Sequence, residues 1–317
     1  MGTGFSHPTS VKSKYLGIDT SNYTTSVALH TSDGMISRRR LLPVREGERG
    51  LRQGDAVFLH VRQFPELFES LPPVDGLSAV GVSSRPRWAE GSYMPCFLSG
   101  VSYARTLAHS HGCPLYEFSH QQGHIAAGLW SAEREDLLQG PFLAFHVSGG
   151  TTELLLVNGI KDISLVGHTL DLHAGQLIDR IGVMLGYSFP CGAAMDPDAL
   201  RAEHPVKHKI RLQNGCCSLS GYENQAQKMF SEGRSREEIA YFAVDSVSSV
   251  LQAMIDYALL TYADLPILMI GGVCSNTIIR RRLTERYGAV FAADGFSCDN
   301  AAGIARLTRL CHEGVIP

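Results

Sequence analysis

The sequence predicts a two-lobed α/β protein with a duplicated core and a central ligand-binding cleft, and three observations predict it. A strand–turn–strand pattern occurs at Tyr15–Leu29 (YLGIDTSNYTTSVAL) and again at Phe142–Val157 (FLAFHVSGGTTELLLV). An apolar strand, Leu265–Ile270, runs into the paired glycines Gly271 and Gly272, a pattern that brings backbone close to a ligand at a strand's carboxyl end. The chain of 317 residues is too long for one small core and comfortable as two linked lobes.

Taken in order, the polar stretch Met1–Lys14 lacks the apolar run of a secretory signal and reads as a flexible leader, residues 1–14. The first lobe is expected over 15–138, with helices at Phe64–Ser70, ending before Pro72, and at Leu98–Ala108. The charged stretch Ser131–Gly140 marks the boundary, and the second lobe is expected over 139–296, with helices at Ala174–Leu185 and Tyr241–Tyr257. Residues 297–317 are expected to form a terminal helix packing back towards the cleft and the first lobe.

Composition narrows the class. Hydrophobic residues at 44% and charged residues at 19% are those of an ordinary globular protein. Apolar stretches such as Leu154–Val157 and Leu265–Ile270 fall far short of a membrane span, so no membrane association is expected. The eight cysteines form no CxxC pair, which points to reduced thiols and a cytoplasmic location. A net charge of −3 gives no whole-molecule field for nucleic acid. Arg38, Arg39, Arg40, Arg45, Arg49 and Arg52 are a local exception, read either as a solvated surface loop or as a phosphate-contacting patch.

Four constellations carry chemistry. In FSHQQGHIAAG (Phe118–Gly128), His120 and His124 are four residues apart; on a helix they share a face and are close enough to grip one metal, or they are two ordinary histidines. There is no HExxH. Asp299 and Asn300 precede a small-residue helical run; Asp299 reads as an N-cap, or as a metal ligand if the fold carries it to the histidines. The turn Ser148, Gly149, Gly150, Thr151, Thr152 offers N–H and hydroxyl donors to phosphate, although it matches neither the Walker nor the Rossmann glycine pattern. In GGVCSN, the glycines admit a planar group and Asn276 is placed to bond a ribose or base.

The order and spacing of these segments resemble the actin–hexokinase–chaperone superfamily (ASKHA, ribonuclease H-like). Within it, HQQGH, VSGGTTEL, HTLDLHAGQLIDRIGVMLG, FPCGAA, GGVCSN and CDNAAGIA resemble the bacterial TsaD family and its archaeal and eukaryotic counterparts, from about Tyr15 to Ala305. That family makes N6-threonylcarbamoyladenosine in tRNA and was once labelled a sialoglycoprotein endopeptidase, a label no nucleophile–base pair supports here. The resemblance implies an iron or zinc ion on His120, His124 and Asp299. It implies threonylcarbamoyl-AMP held by Val147, Ser148, Gly149, Gly150 and Thr151, with Asp179, Gly192 and Asn276 also touching the nucleotide. It implies transfer to N6 of the adenosine beside the anticodon of ANN-decoding tRNA. It further implies TsaB-, TsaE- and TsaC-type partners, and a monomer or a heterodimer with a paralogue.

The chain also departs from the family's pattern. Ser21, Asn22, Tyr23, Thr24 and Thr25 stand where bacterial members read SCDET, so an acidic pair is missing. Asp171 stays, but Leu172 and Gln176 stand where acids are usual, Thr151 replaces a histidine, and Ser84, Arg85, Pro86, Arg87 and Trp88 rewrite a glycine-rich segment. His146 falls where archaeal and eukaryotic members have a metal-binding tyrosine. It reads either as a fourth ligand beside His120, His124 and Asp299, a set suited to iron or zinc, or as a core histidine bonded to a nearby carbonyl. These departures keep two other readings open: a partner or regulatory paralogue that binds nucleotide and metal, and a carbamoyltransferase with another acceptor.

Overall fold

The computed structural model describes residues 13–21, 23–43, 51–204, 208–262, 264–293, 295 and 300–317. Two compact units result, residues 1–130 with 299–317, and residues 131–298.

The first unit is built on one five-stranded sheet. Strands β1 (Lys14–Ser21), β2 (Thr24–Thr31) and β3 (Gly34–Leu41) form an antiparallel meander, and β4 (Leu77–Arg85) and β5 (Leu115–Ser119) add in parallel beside β1, giving the order β3-β2-β1-β4-β5. The second unit repeats the plan. Strands β6 (Pro141–Val147), β7 (Thr152–Asn158) and β8 (Ile163–His168) form the meander, and β9 (Ile267–Ile270) and β10 (Val290–Phe291) add in parallel, giving β10-β9-β6-β7-β8. The two predicted hairpins are therefore the first two strands of each meander. The third strands, β3 and β8, are additions to the sequence reading, as are β4, β5 and β10. β3 was obscured because Arg38, Arg39 and Arg40 lie on it, on the outer edge of the sheet. Those arginines are thus on a strand rather than in a loop, and Arg40 pairs with Glu66. Arg45 and Arg49 lie outside the described residues.

Helices α1 (Gln53–Glu69), α2 (Phe97–His111) and α3 (His120–Ser131) belong to the first unit. α1 starts well before the predicted Phe64 because its buried stripe, Ala56, His60, Phe64 and Leu67, includes a histidine that a search for apolar periodicity passes over. The second unit holds α4 (Ala174–Met184), α5 (Gly192–Arg201), α6 (Ser220–Ser231), α7 (Arg236–Tyr262) and α8 (Thr277–Tyr287). α7 exceeds the predicted span at both ends. Its start is fixed by a reciprocal cap, in which the Glu238 N–H donates to Ser235 Oγ and the Ser235 N–H to the Glu238 carboxylate. At 27 residues α7 is long and apolar enough to cross a bilayer by composition alone, but most of it is buried in the core of its own unit, among Leu143, Phe145, Leu177 and Ile278.

Helix α9 (Asn300–His312) returns to the first unit and packs on β1, β2 and β4. Its first turns carry Ala301, Ala302, Gly303 and Ala305, side chains small enough to let the helix axis approach the sheet. That approach sets the position of Asn300.

Candidate functional site

In the first unit, β1 and β4 run side by side and deliver Asp19 and Ser83 from their carboxyl ends, while α3 begins directly after β5 and presents His120 on its first turn. The Asp19 carboxylate is fully buried and heavily bonded. Its Oδ1 lies 3.0 Å from His120 Nδ1, accepts from Asn300 Nδ2 at 2.7 Å, and accepts from the Ser83 hydroxyl. Burial alone would raise its pKa; the charge and hydrogen bond of His120, with Ser83 and Asn300, outweigh that and hold the carboxyl well below the usual carboxylate range.

Asp19 and Asn300 both meet His120 at Nδ1, so the ring is held from that side and its Nε2 faces away from Asp19. One helical turn on, His124 Nε2 stands 2.9 Å from His120 Nε2. Two ring nitrogens close together, one ring backed by a carboxylate, are donors of the type that zinc and iron take, and they supply two of the ligands such an ion needs. Asn300 can reach Asp19 only because residue 123 is glycine: a Cβ there would come within 2.8 Å of the Asn300 amide carbon. Among the described residues no three His, Cys, Asp or Glu side chains converge on one cation position. Asp299, the expected third ligand, lies outside the described residues, and His146 stands on β6 of the second unit.

The second unit contains a cavity of about 620 Å³ that draws together Gly149, Asp179, Gly192 and Asn276 from the expected set, with Asp196 and Ser275 beside them. The four-residue turn between β6 and β7 is closed by the Ser148 N–H donating to the Thr151 carbonyl at 2.8 Å, and the Gly150 N–H donates to Ser148 Oγ at 3.3 Å. The turn abuts the start of α4: the Gly175 N–H donates to the Ser148 carbonyl and the Ala174 N–H to Thr152 Oγ1. A hydroxyl- and glycine-rich turn at a helix N-terminus is suited to phosphate. Val147, also expected at the ligand, is buried in the core and is not among the residues that line the cavity.

Two of the expected positions also have structural bonds or contacts of their own. Asn276 Oδ1 accepts from the Ile278 and Ile279 N–H groups as the cap of α8, and its Nδ2 donates to Asp196 at 2.6 Å. The Asp196 carboxylate, beside it on the cavity wall, also accepts from the Thr277 N–H and hydroxyl. The two glycines of GGVCSN differ. Gly271 has φ 103°, and a Cβ on it would meet the Val147 backbone, so it is required by packing against β6; Gly272 lines the cavity.

The positions that depart from the family's acids have structural work. Leu172 is buried in the second unit's core, and Gln176 Oε1 accepts the His173 N–H, closing the first turn of α4. The Asp171 carboxylate accepts from the Leu219 N–H at 2.7 Å and the Ser220 hydroxyl at 2.6 Å; burial pushes against its ionisation, yet those bonds hold it below its ordinary value. Tyr23 is exposed in the first hairpin turn. The seven described cysteines are free thiols, and burial pushes Cys96 and Cys217 up to about 11 and Cys274 to about 12, so none of these three is a ready nucleophile. Asp19, Ser83, Asn300 and Asp196 were missed by the sequence reading; the signal for Asp19 was a carboxylate placed in the otherwise apolar strand YLGID.

Comparison with known proteins agrees with this architecture. Residues 74–306 match the family model TsaD, tRNA N6-adenosine threonylcarbamoyltransferase. A protein of that name from Streptococcus pneumoniae is 30% identical over 288 residues, covering 86% of this chain and 84% of the relative. Among solved structures, full-length HypF in a phosphate- and nucleotide-bound form aligns with a TM-score of 0.61 at 13% identity, over 94% of this chain and 56% of HypF. Component A of (R)-2-hydroxyglutaryl-CoA dehydratase from Acidaminococcus fermentans aligns with a TM-score of 0.56 at 14% identity, over 95% and 99%. The structural matches establish the fold, the ASKHA α/β architecture, and the sequence matches establish the kinship. The chain belongs to the TsaD family of tRNA N6-adenosine threonylcarbamoyltransferases, a family of enzymes.

Proposed function

We propose that this chain transfers a threonylcarbamoyl group from threonylcarbamoyl-AMP to N6 of the adenosine beside the anticodon of ANN-decoding tRNA. Family membership supports the reaction class, and the observation that carries the assignment to this molecule is the convergence of His120 and His124 with Asp19 behind them.

The divided donor sets suggest divided tasks. Gly149, Asp179, Gly192 and Asp196, the last held by Asn276, surround a cavity roomy enough for a nucleotide, and the turn Val147–Thr151 is suited to its phosphate. His120 and His124, with Asp299, would hold Fe2+ or Zn2+. When bound, such a cation supplies Lewis-acid polarisation of a carbonyl. The adenine N6 lone pair is delocalised into the ring, so alignment of the reactants contributes more than a strong base. Asp19 and Asn300 hold the His120 ring through Nδ1, a fixed orientation that does not have to be established during turnover. The tRNA, a TsaC-type adenylate synthase, and TsaB- and TsaE-type proteins are the proposed partners, in the cytoplasm, with the chain a monomer or in a heterodimer with a paralogue.

The test is transfer from synthetic threonylcarbamoyl-AMP to ANN-decoding tRNA, with those partners supplied, by wild type and His120→Ala. Modification by the wild type and its loss in the variant is the expected result. Equal modification by both would remove the histidines from the centre. A wild type that binds adenylate yet modifies no tRNA would point to another acceptor or a regulatory task.

A further inference from the structure

Strand β4 ends at Arg85, two residues beyond Ser83, which bonds Asp19. The loop that follows is anchored beside the histidines: the Pro86 carbonyl accepts the N–H of Gln121, the residue after His120, at 3.0 Å. It is folded on itself, with the Arg87 N–H donating to Ser92 Oγ at 3.0 Å and the Ser92 N–H to the Ala89 carbonyl at 3.2 Å. On this braced loop Trp88 is 54% exposed and Tyr93 62% exposed. The Arg85 guanidinium carbon sits 4.4 Å from the centre of the Trp88 ring, while Arg85 Nε is buried with no hydrogen-bond partner among the described residues.

An indole held against a guanidinium, half open to solvent and close to a proposed reaction centre, is a surface on which a flat heterocycle can stack. Trp88 stays more than half exposed although the Arg85 guanidinium lies against its ring, and the positive charge of Arg85 and Arg87 favours an anionic strand nearby. We propose that Trp88 is a stacking platform for an unpaired RNA base, the acceptor adenine or its immediate neighbour, and so a positioning residue for the acceptor strand. Single-stranded bases splayed out of a loop are recognised by such aromatic faces, and stacking tolerates any base while the site beyond selects the one that reacts.

This proposal rests on the tRNA reading above, and its test separates the two. The chain has two tryptophans, so emission can be followed directly. An anticodon stem-loop RNA is titrated into wild type, Trp88→Phe and Trp88→Ala, alongside the same RNA with an abasic site at the acceptor position and at its neighbour. Quenching of wild-type emission by the intact RNA, diminished by the abasic RNA and absent in Trp88→Phe, is expected. In the transfer assay, Trp88→Ala raises the KM for tRNA roughly tenfold to a hundredfold with kcat retained, and Trp88→Phe restores most of it. Unchanged KM in Trp88→Ala, or equal quenching by intact and abasic RNA, overturns the platform and leaves the transferase reading standing. Quenching that obeys the pattern in a protein that transfers nothing retains the platform and removes the transferase. Absence of both removes both.

Discussion

In the first unit β1 and β2 pair up to Ser21 and Thr24; in the second, β6 and β7 pair up to Val147 and Thr152, with Ser148 to Thr151 between them. The strand order around these hairpins is the same, a three-stranded meander with two parallel strands beside its first member. The first unit offers side chains from the ends of β1, β4 and β5: Asp19, Ser83 and His120. The second offers backbone, hydroxyls and glycine next to the start of α4. One frame, used twice, thus provides a nitrogen-and-carboxylate cluster in one unit and an amide-rich cavity in the other. In one copy strand ends supply the chemistry, and in the other the loop after the hairpin strand supplies it.

Mutations can break that contrast unit by unit. The largest effect is expected from Asp19→Ala, which strips His120 and Asn300 of a buried, shared acceptor. Loss of an orienting outer-shell carboxylate costs roughly 10- to 100-fold in metal affinity. Calorimetric titration of Zn2+ or Fe2+ reads the change, and unchanged affinity would detach Asp19 from the cluster. The matching change in the second unit, Asp196→Ala, should weaken adenylate binding while leaving metal affinity as it was.

Gly123→Ala ranks next. The new methyl meets the Asn300 amide, so α9 must shift or Asn300 must leave Asp19. Overpacking of this kind costs about 1–3 kcal/mol, read as a lower denaturation midpoint, with the effect confined to the first unit.

Acid should separate the units too. Burial lowers His30 to about 4, aided by Arg306 and Arg309, and lowers His60 to about 4, only partly opposed by Asp19. Both lie in the first unit. A histidine with a lowered native pKa takes up its proton more readily unfolded, so stability falls as pH drops from about 6.5 towards 4. We expect about 1–2 kcal/mol for each, after allowance for solvent screening. In the second unit, Asp171 and Asp245 are lowered carboxylates despite burial, and their contribution is lost only below about pH 4. Hydrogen exchange at pH 7 and pH 5 should therefore show protection falling more in the first unit; an equal fall would refute the assignment. The smallest effect is expected from Asn276→Ala, about 1 kcal/mol for the lost cap of α8, seen by thermal melting.

Legibility in the sequence followed chain distance. His120 and His124 were readable because a spacing of four maps directly onto one helical face, and Ser148–Thr151 because all its donors are consecutive. Gly149, Asp179, Gly192 and Asn276 were readable only through the order of motifs, and they do line one cavity. Asp19 and Asn300, 281 positions apart, were not: each alone reads as a strand-end acid or a helix cap. Asp196 stayed hidden for the same reason, since its partner Asn276 is 80 positions away and already looked like a ligand residue. Of the strands the sequence reading missed, β3 and β8 are outer strands, where solvent permits the polar residues that disguise them, whereas β4, β5 and β10 are short or serine- and glycine-bearing runs with no hairpin beside them to mark them.

The return of α9 to the first unit bears on how the molecule is made. Residues 131–298 can complete their own sheet and core while the chain is still emerging from the ribosome, because every strand of that unit lies between those limits. The first unit, although synthesised earlier, must wait with β1, β2 and β4 uncovered until Asn300–His312 is released. Assembly therefore runs against the direction of synthesis, and its slowest contact is of very high sequence separation. A chain cut short before Asn300 would keep the cavity lined by Gly149 and Asp179 and lack the residue that bonds Asp19 beside His120, so incomplete products would carry one of the two clusters without the other.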